Sequence, residues 1–187
     1  MSGTVYQLYQ KLLDIKLNKS AFVKGCCKPD MPFFLRGIGH YREDSFYIVK
    51  DILRTGIKNI EFDGVNLSKE ASVRIGIAMH FISDYFCYMH NEGISHNRNT
   101  HHTYEMILNK KLIKTNRNVI QGLIKRTYQE SIKDDMDAVE FINYKYNEYI
   151  NTELSYSRDV VYSLSIPAVI VSKLLLNQID TKDIYIA

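Results

Sequence analysis

The sequence predicts an all-α fold, a single-domain multi-helix bundle, and three observations carry that expectation. Apolar residues return at three- and four-residue intervals in almost every segment, the spacing that gathers them on one face of a helix. No segment reads convincingly as a strand. The 187 residues are 45% hydrophobic and 24% charged with three prolines and nine glycines, a composition for one ordered core without linkers. Residues 1–187 are therefore read as one domain.

Taken in order, the periodic segments place helices from Thr4 to Leu17, Asp44 to Arg54, Ser68 to about Asn91, Thr100 to Lys111, Arg117 to Ile132, Ala138 to Thr152 and Ser157 to Asn177. The stretch GCCKPDMPFFLRGIGHYRED, residues 25–44, holds two prolines and three glycines and reads as an ordered irregular loop. Residues 61–72 and 92–100 are further connections, with Ser68 and Thr100 as expected N-caps. Pro167 is expected to kink the last helix. The segment ASVRIGIAMHFISDYFCYMHNE is apolar around nearly its whole circumference, which marks a helix in the middle of the bundle.

Charge excludes little. With 24 basic and 21 acidic residues interspersed, a net +3 does not by itself imply a polyanionic partner, and the sequence offers no evidence for nucleic acid. The basic stretch at residues 109–118 reads as a solvated face. The first residues show no basic region followed by an apolar run, so neither a signal peptide nor a membrane span is expected and the chain is assigned to the cytoplasm. Cys26, Cys27 and Cys87 fit neither a disulfide framework nor paired zinc spacing; they are expected as reduced packing residues.

Five of the six histidines lie between residues 80 and 105, and the sixth is His40. His80 and Asp84 are four apart on the expected central helix, where burial without partners costs a few kcal/mol. A histidine hydrogen-bonded to an aspartate one turn away would satisfy them. His101 and Glu105 repeat the spacing on the next helix, however, and His90 lies between. Imidazole with carboxylate is a donor set for zinc. On a continuous helix His90 falls about 120° round and about 9 Å along from Asp84, too far for one ion to take both easily. The economical division gives His80 and Asp84 to one metal and His90, His101 and Glu105 to a second, with Asp30 and His40 completing the first. His96 and His102 fit neither set and read as exposed or supporting residues.

In spacing, these residues resemble the bacterial zinc-dependent phospholipases C, whose all-helical fold is shared with fungal zinc nucleases. Asp30, His40, His80, Asp84, His90, His101 and Glu105 match the family's ligand positions in order, and Gly25, Pro29 and Asp30 match its first loop. The likeness covers about residues 20–110. It implies one zinc held by Asp30, His40, His80 and Asp84 and another held by His90, His101 and Glu105. The toxin-like members bind a third zinc through an N-terminal tryptophan and a nearby histidine. This chain has no tryptophan and no histidine before residue 40, so two ions are expected. His90 is also followed by Asn91 where the family usually has proline.

The resemblance implies a phosphodiester hydrolase in which metal-activated water attacks the phosphorus of a phospholipid or related head group, with Asp30 and Glu105 as the catalytic carboxylates. Phe33, Tyr85 and Tyr88 are the expected substrate-binding aromatics, and Phe34, Tyr41 and Tyr104 further candidates. Residues 106–187 read as more helices rather than a C-terminal membrane-binding domain, so a soluble or dispersed substrate and no stable membrane insertion are expected. Two alternatives stay open: a zinc nuclease of the same fold, for which Lys28, Arg36, Arg42 and Arg98 are groove candidates, and a non-catalytic metal-stabilised helical module.

Overall fold

A computed structural model of the chain describes residues 17–31, 37–58, 62–63, 66–91, 97–133 and 136–183. Among these residues the helices are α1 (Lys19–Cys27), α2 (Arg42–Lys58), α3 (Lys69–Tyr85), α4 (Arg98–Lys114), α5 (Arg117–Lys133), α6 (Ala138–Ile150) and α7 (Tyr156–Asp183). A 3₁₀ turn at Tyr88–His90 separates α3 from α4. The bundle is all-α as expected, apart from one short hairpin. Phe62–Asp63 pairs antiparallel with Asn66–Leu67 where the sequence predicts a plain connection, although Asp63-Gly64 is a hairpin-type dipeptide. The expected helix from Thr4, together with Phe33, Phe34, Arg36 and His96, lies outside the described residues.

Helix α3 is central: α1, α2 and α7 all pack against it. Ser68 caps it as expected, its side chain accepting from the Ala71 amide at 3.2 Å. The Ser72 hydroxyl donates back to the Ser68 carbonyl and accepts from the Asn18 amide at 3.0 Å, tying the starts of α1 and α3 together. The two helices then cross glycine on glycine. A Cβ built on Gly25 would stand 2.2 Å from the Val73 carbonyl oxygen, and one on Gly76 2.4 Å from that of Phe22. No larger residue fits between those backbones.

The long helix α7 closes the other side of the core with Val169, Ile170 and Val171 wholly buried. It runs through Pro167 as one helix. Proline cannot donate to the carbonyl four residues back, that of Ser163. The Ser83 hydroxyl of α3 takes that carbonyl instead, at 3.0 Å, so the orphaned acceptor becomes a bond between the two central helices. Lys173 of α7 likewise donates to the Ser131 and Met136 carbonyls beside the end of α5, at 2.8 and 2.7 Å.

Two helix boundaries near the histidines differ from expectation. Helix α4 begins at Arg98, with Asn97 rather than Thr100 as its cap. Helix α3 stops at Tyr85, six residues before the expected end at Asn91.

Candidate metal centre

The early stop of α3 follows from the bonds available around it. In a continuing α-helix the Tyr88 amide would donate to the Asp84 carbonyl. Here it donates to the carboxylate of Asp159 at 2.7 Å, and the Cys87 amide takes the Asp84 carbonyl at 2.9 Å. Phe86 is fully buried, with its ring near those of Tyr146, Tyr149 and Tyr162. Asn91 donates to the Cys87 carbonyl and accepts from the Tyr146 hydroxyl, which holds the reversed chain in place.

The reversal turns His90 back over Asp84. His40, Asp84 and His90 offer ligand atoms within 4.8 Å of one another, so the separation calculated for an unbroken helix is corrected. Two further groups meet the same limit, Asp30 with His40 and His80, and His90 with His101 and Glu105. The seven residues singled out by their spacing thus form one continuous patch on the wall of a cavity of about 700 Å³.

Backbone contacts orient the first half of the patch. The His80 Nδ1–H donates to the Cys26 carbonyl at 2.8 Å, a bond made possible by the close crossing of α1 and α3. That fixes the neutral tautomer and leaves Nε2 facing the cavity. His80 Nε2 lies 3.0 Å from Asp84 Oδ2, 3.2 Å from His40 Nδ1 and 3.7 Å from Asp30 Oδ1. His40 Nδ1 is 2.7 Å from the same Asp84 oxygen. Gly37, with φ of 93°, supplies the left-handed turn just before His40.

The second half is shorter-range. Glu105 Oε1 lies 3.0 Å from His101 Nε2 and 3.4 Å from His90 Nε2, and the two imidazole rings are 4.8 Å apart edge to face. His101, rather than the exposed His102, is the residue that joins Glu105.

The electrostatics are those of a ligand cluster holding protons. Burial alone would lower the His80 pKa, but the Asp84 charge and hydrogen bond outweigh it and push it up to about 9. Burial would raise Asp84, and the charge of His80 with hydrogen bonds from His40 and His80 holds its carboxyl below the usual range. His90 is raised in spite of its burial, chiefly by its hydrogen bond to Glu105, and Glu105 is lowered by the same bond.

The residues present fit zinc. Four donors around an ion at about 2.0–2.1 Å stand about 3.3 Å from one another. The Nε2 of His80 lies 3.0, 3.2 and 3.7 Å from its neighbours, and Glu105 3.0 and 3.4 Å from its two histidines, which bracket that value. His40 meets His80 and Asp84 through Nδ1 but Asp30 through Nε2, and Asp84 groups with His40 and His90 rather than with Asp30. No cysteine belongs to a cluster of this kind among the described residues. Cys87 is a packing residue and Cys26 is half-buried with its thiol pushed up to about 12 by burial, but Cys27 is exposed and does not pack.

The substrate-binding aromatics need correction. Tyr85 is completely buried with its hydroxyl on Ser45, and Tyr88 packs against Tyr104; neither is on the cavity wall. Their spacing served the core. Tyr41 does line the cavity. Arg42 is committed to the scaffold, its guanidinium over the rings of Phe46 and Tyr146 and bonded to Asn143, which removes it from a nucleic-acid groove.

Sequence reading missed Asp159. Wholly buried, it accepts on Oδ2 from the Tyr88 amide and the Tyr104 hydroxyl, at 2.7 and 2.8 Å, and on Oδ1 from the Tyr149 hydroxyl and Arg158. One carboxylate therefore fastens both the turn that carries His90 and the helix that carries His101 and Glu105. In the sequence it is an ordinary acidic residue in the first turn of a helix, beside Arg158 and 54 residues beyond the last of the cluster.

Fold and site together define a class, the all-helical proteins whose imidazole and carboxylate side chains meet in a cavity suited to zinc. The chain matches the zinc-dependent phospholipase C family over residues 4–156 and belongs to it. No curated protein and no solved structure matches it. Among the described residues no helix is long and apolar enough to cross a membrane.

Proposed function

We propose that the protein is a zinc-dependent phosphodiesterase acting on a phospholipid or related head-group substrate. Asp30, His40, His80 and Asp84 hold one zinc and His90, His101 and Glu105 the other. The observation that carries the reading is that all seven of these residues line one cavity with donor atoms at metal-site spacing. When bound, zinc supplies Lewis acidity, polarising a phosphoryl oxygen and acidifying water.

The chain's own groups do the rest. The Cys26 carbonyl keeps His80 aimed inward. Asp30, with a side chain 67% exposed, is the open carboxylate of the first set and accepts the proton of the attacking water. Glu105, 46% exposed and bonded to both His90 and His101, sets the orientation of the second set. Met79, Met89 and Pro167 give the wall an apolar side against which the non-reacting part of the substrate rests.

The test is zinc content by elemental analysis of untagged protein and of His80→Ala and His101→Ala, beside hydrolysis of a chromogenic phosphocholine ester. Two equivalents, one lost in each variant, with hydrolysis abolished in both, are expected. Zinc near zero, or zinc-loaded protein that cleaves no phosphodiester, overturns the reading. Cleavage of a single-stranded oligonucleotide alone would transfer the site to nuclease chemistry.

A further inference from the structure

Charge is distributed unevenly along this chain. Residues 106–129 contain six lysines and arginines and no aspartate or glutamate, in a protein whose net charge is only +3. That stretch is most of α4 and α5, beginning at the residue after Glu105. On α4 the side chains of Lys110, Lys111 and Lys114 are exposed, and so are Met106, Ile107 and Ile113, the last 76% exposed. Helix α5 continues the surface with exposed Val119 and Lys125.

Met106, Ile107, Ile113 and Val119 do not belong to the hydrophobic core. Leu108 and Leu112 supply the buried face of α4, and successive exposed positions 106, 110 and 113 form a separate stripe on the outer side. Among the described residues no carboxylate pairs with Lys110, Lys111, Lys114 or Lys125. A purely solvated helix face would carry mixed charge and few large apolar groups. Lysines alternating with exposed isoleucine and methionine match a surface that is anionic outside and apolar a few ångström below. A nucleic-acid backbone would use the lysines and leave Ile107 and Ile113 in water.

We propose that the outer face of α4, continued by α5, is a peripheral docking surface for a negatively charged phospholipid bilayer. The proposal rests on the phospholipase reading of the neighbouring cavity and adds to it where the substrate is met. The geometry joins the two: Met106 of the docking face and Glu105 of the candidate centre line the same cavity of about 420 Å³, together with His102 and Asn109. Binding is by the lysines at the head-group level with Ile113 and Met106 dipping below it, which requires no membrane-spanning segment.

The experiment is co-sedimentation of the full chain with vesicles of phosphatidylcholine and phosphatidylserine mixed, and of phosphatidylcholine alone, in low and high salt with zinc chelated. Expected is binding to the mixed vesicles only, released by salt. Each lysine contributes about fivefold, so Lys110→Gln, Lys111→Gln and Lys114→Gln combined lower binding on the order of 100-fold. Ile113→Ser, at an exposed position, lowers it further while the melting temperature stays that of the parent. Equal binding to both vesicles, indifference to Ile113→Ser, or equally tight binding to a duplex oligonucleotide overturns the lipid assignment. Hydrolysis of the soluble phosphocholine ester by the parent protein separates the two claims. An active enzyme that ignores anionic vesicles sinks only the docking face, and a vesicle-binding protein without phosphodiesterase activity sinks the catalytic reading.

Discussion

Replacing Asp159 by asparagine keeps the shape of the side chain and removes its charge. The buried carboxylate accepts from Tyr88, Tyr104, Tyr149 and Arg158, and hydrogen bonds to a charged partner contribute about 1.5–3 kcal/mol each. Asparagine can still accept on one oxygen, so not all are lost, but Arg158, only 7% exposed, is left without its counter-ion. Breaking a buried pair in that way costs about 3–5 kcal/mol. For a chain of this length that lowers the melting temperature by roughly 6–20 °C. The specific consequence is local: the Tyr88 amide loses the acceptor that ends α3, and His90 loses its position over Asp84. Zinc bound through His90, His101 and Glu105 should weaken about 10- to 100-fold while zinc at the other set is retained. Melting curves with elemental analysis after graded chelation read both effects. Tyr149→Phe is the control, since it removes a bond only from Oδ1, on the side away from the turn; it should lower stability and leave both zincs. A destabilised Asp159→Asn protein that holds both zincs as tightly as the parent would refute the positioning argument.

Three further outcomes follow from other parts of the molecule. Gly76→Ala places a Cβ 2.4 Å from the Phe22 carbonyl oxygen, so α1 must withdraw by more than half an ångström; a loss of about 1–3 kcal/mol is expected, with weaker zinc binding through Asp30 and His80, and a parental melting curve would count against the close crossing. In the metal-free protein His80 is raised to about 9, so its contribution to stability is fully present below its ordinary 6.5 and lost as pH rises through 9, while that of Asp84 is present above its ordinary 3.8 and lost in stronger acid. Zinc must displace the His80 proton up to pH 9, so the melting-temperature difference between zinc-loaded and metal-free protein should widen from pH 6.5 to 9, and a flat difference would refute the assignment. His102→Ala should keep its full zinc content whereas His101→Ala loses one equivalent, measured by elemental analysis of the two proteins side by side.

The fold class and family were legible because they depend on local pattern. Helical periodicity marked six of the helices, and the spacings between Asp30 and Glu105 carried the family resemblance without any knowledge of their approach in space. What was not legible depended on distant contacts. The end of α3 at Tyr85 has no glycine or proline to announce it, because an aspartate more than seventy residues later takes the amide that the helix needs. For the same reason the angular argument about His90 failed: it assumed a straight helix where tertiary bonding had already bent the chain. Tyr85 and Tyr88 were misread as substrate contacts because an aromatic at helical spacing looks alike in a core and in a pocket. The place of Pro167 inside the last helix was legible, but the Ser83 hydroxyl that satisfies the carbonyl it orphans was not. Asp159 had no legible signal, as a single carboxylate acquires meaning only when its donors are known.

The glycine seam between α1 and α3 bears on how this sequence can change over generations. Because the contact at Gly25 and Gly76 is backbone against backbone, and because the bond that orients His80 is made to a carbonyl rather than a side chain, the identity of the exposed α1 residues does not enter the geometry of the site, although Phe22 and Cys26 still pack on the core. Lys24 and Cys27, both exposed, are therefore free to drift among residues of different size and charge without moving His80, whereas any exchange at the two glycines forces the helices apart. A lineage descended from this chain would vary at the exposed positions of α1 yet keep the same pair of glycines fifty-one positions apart.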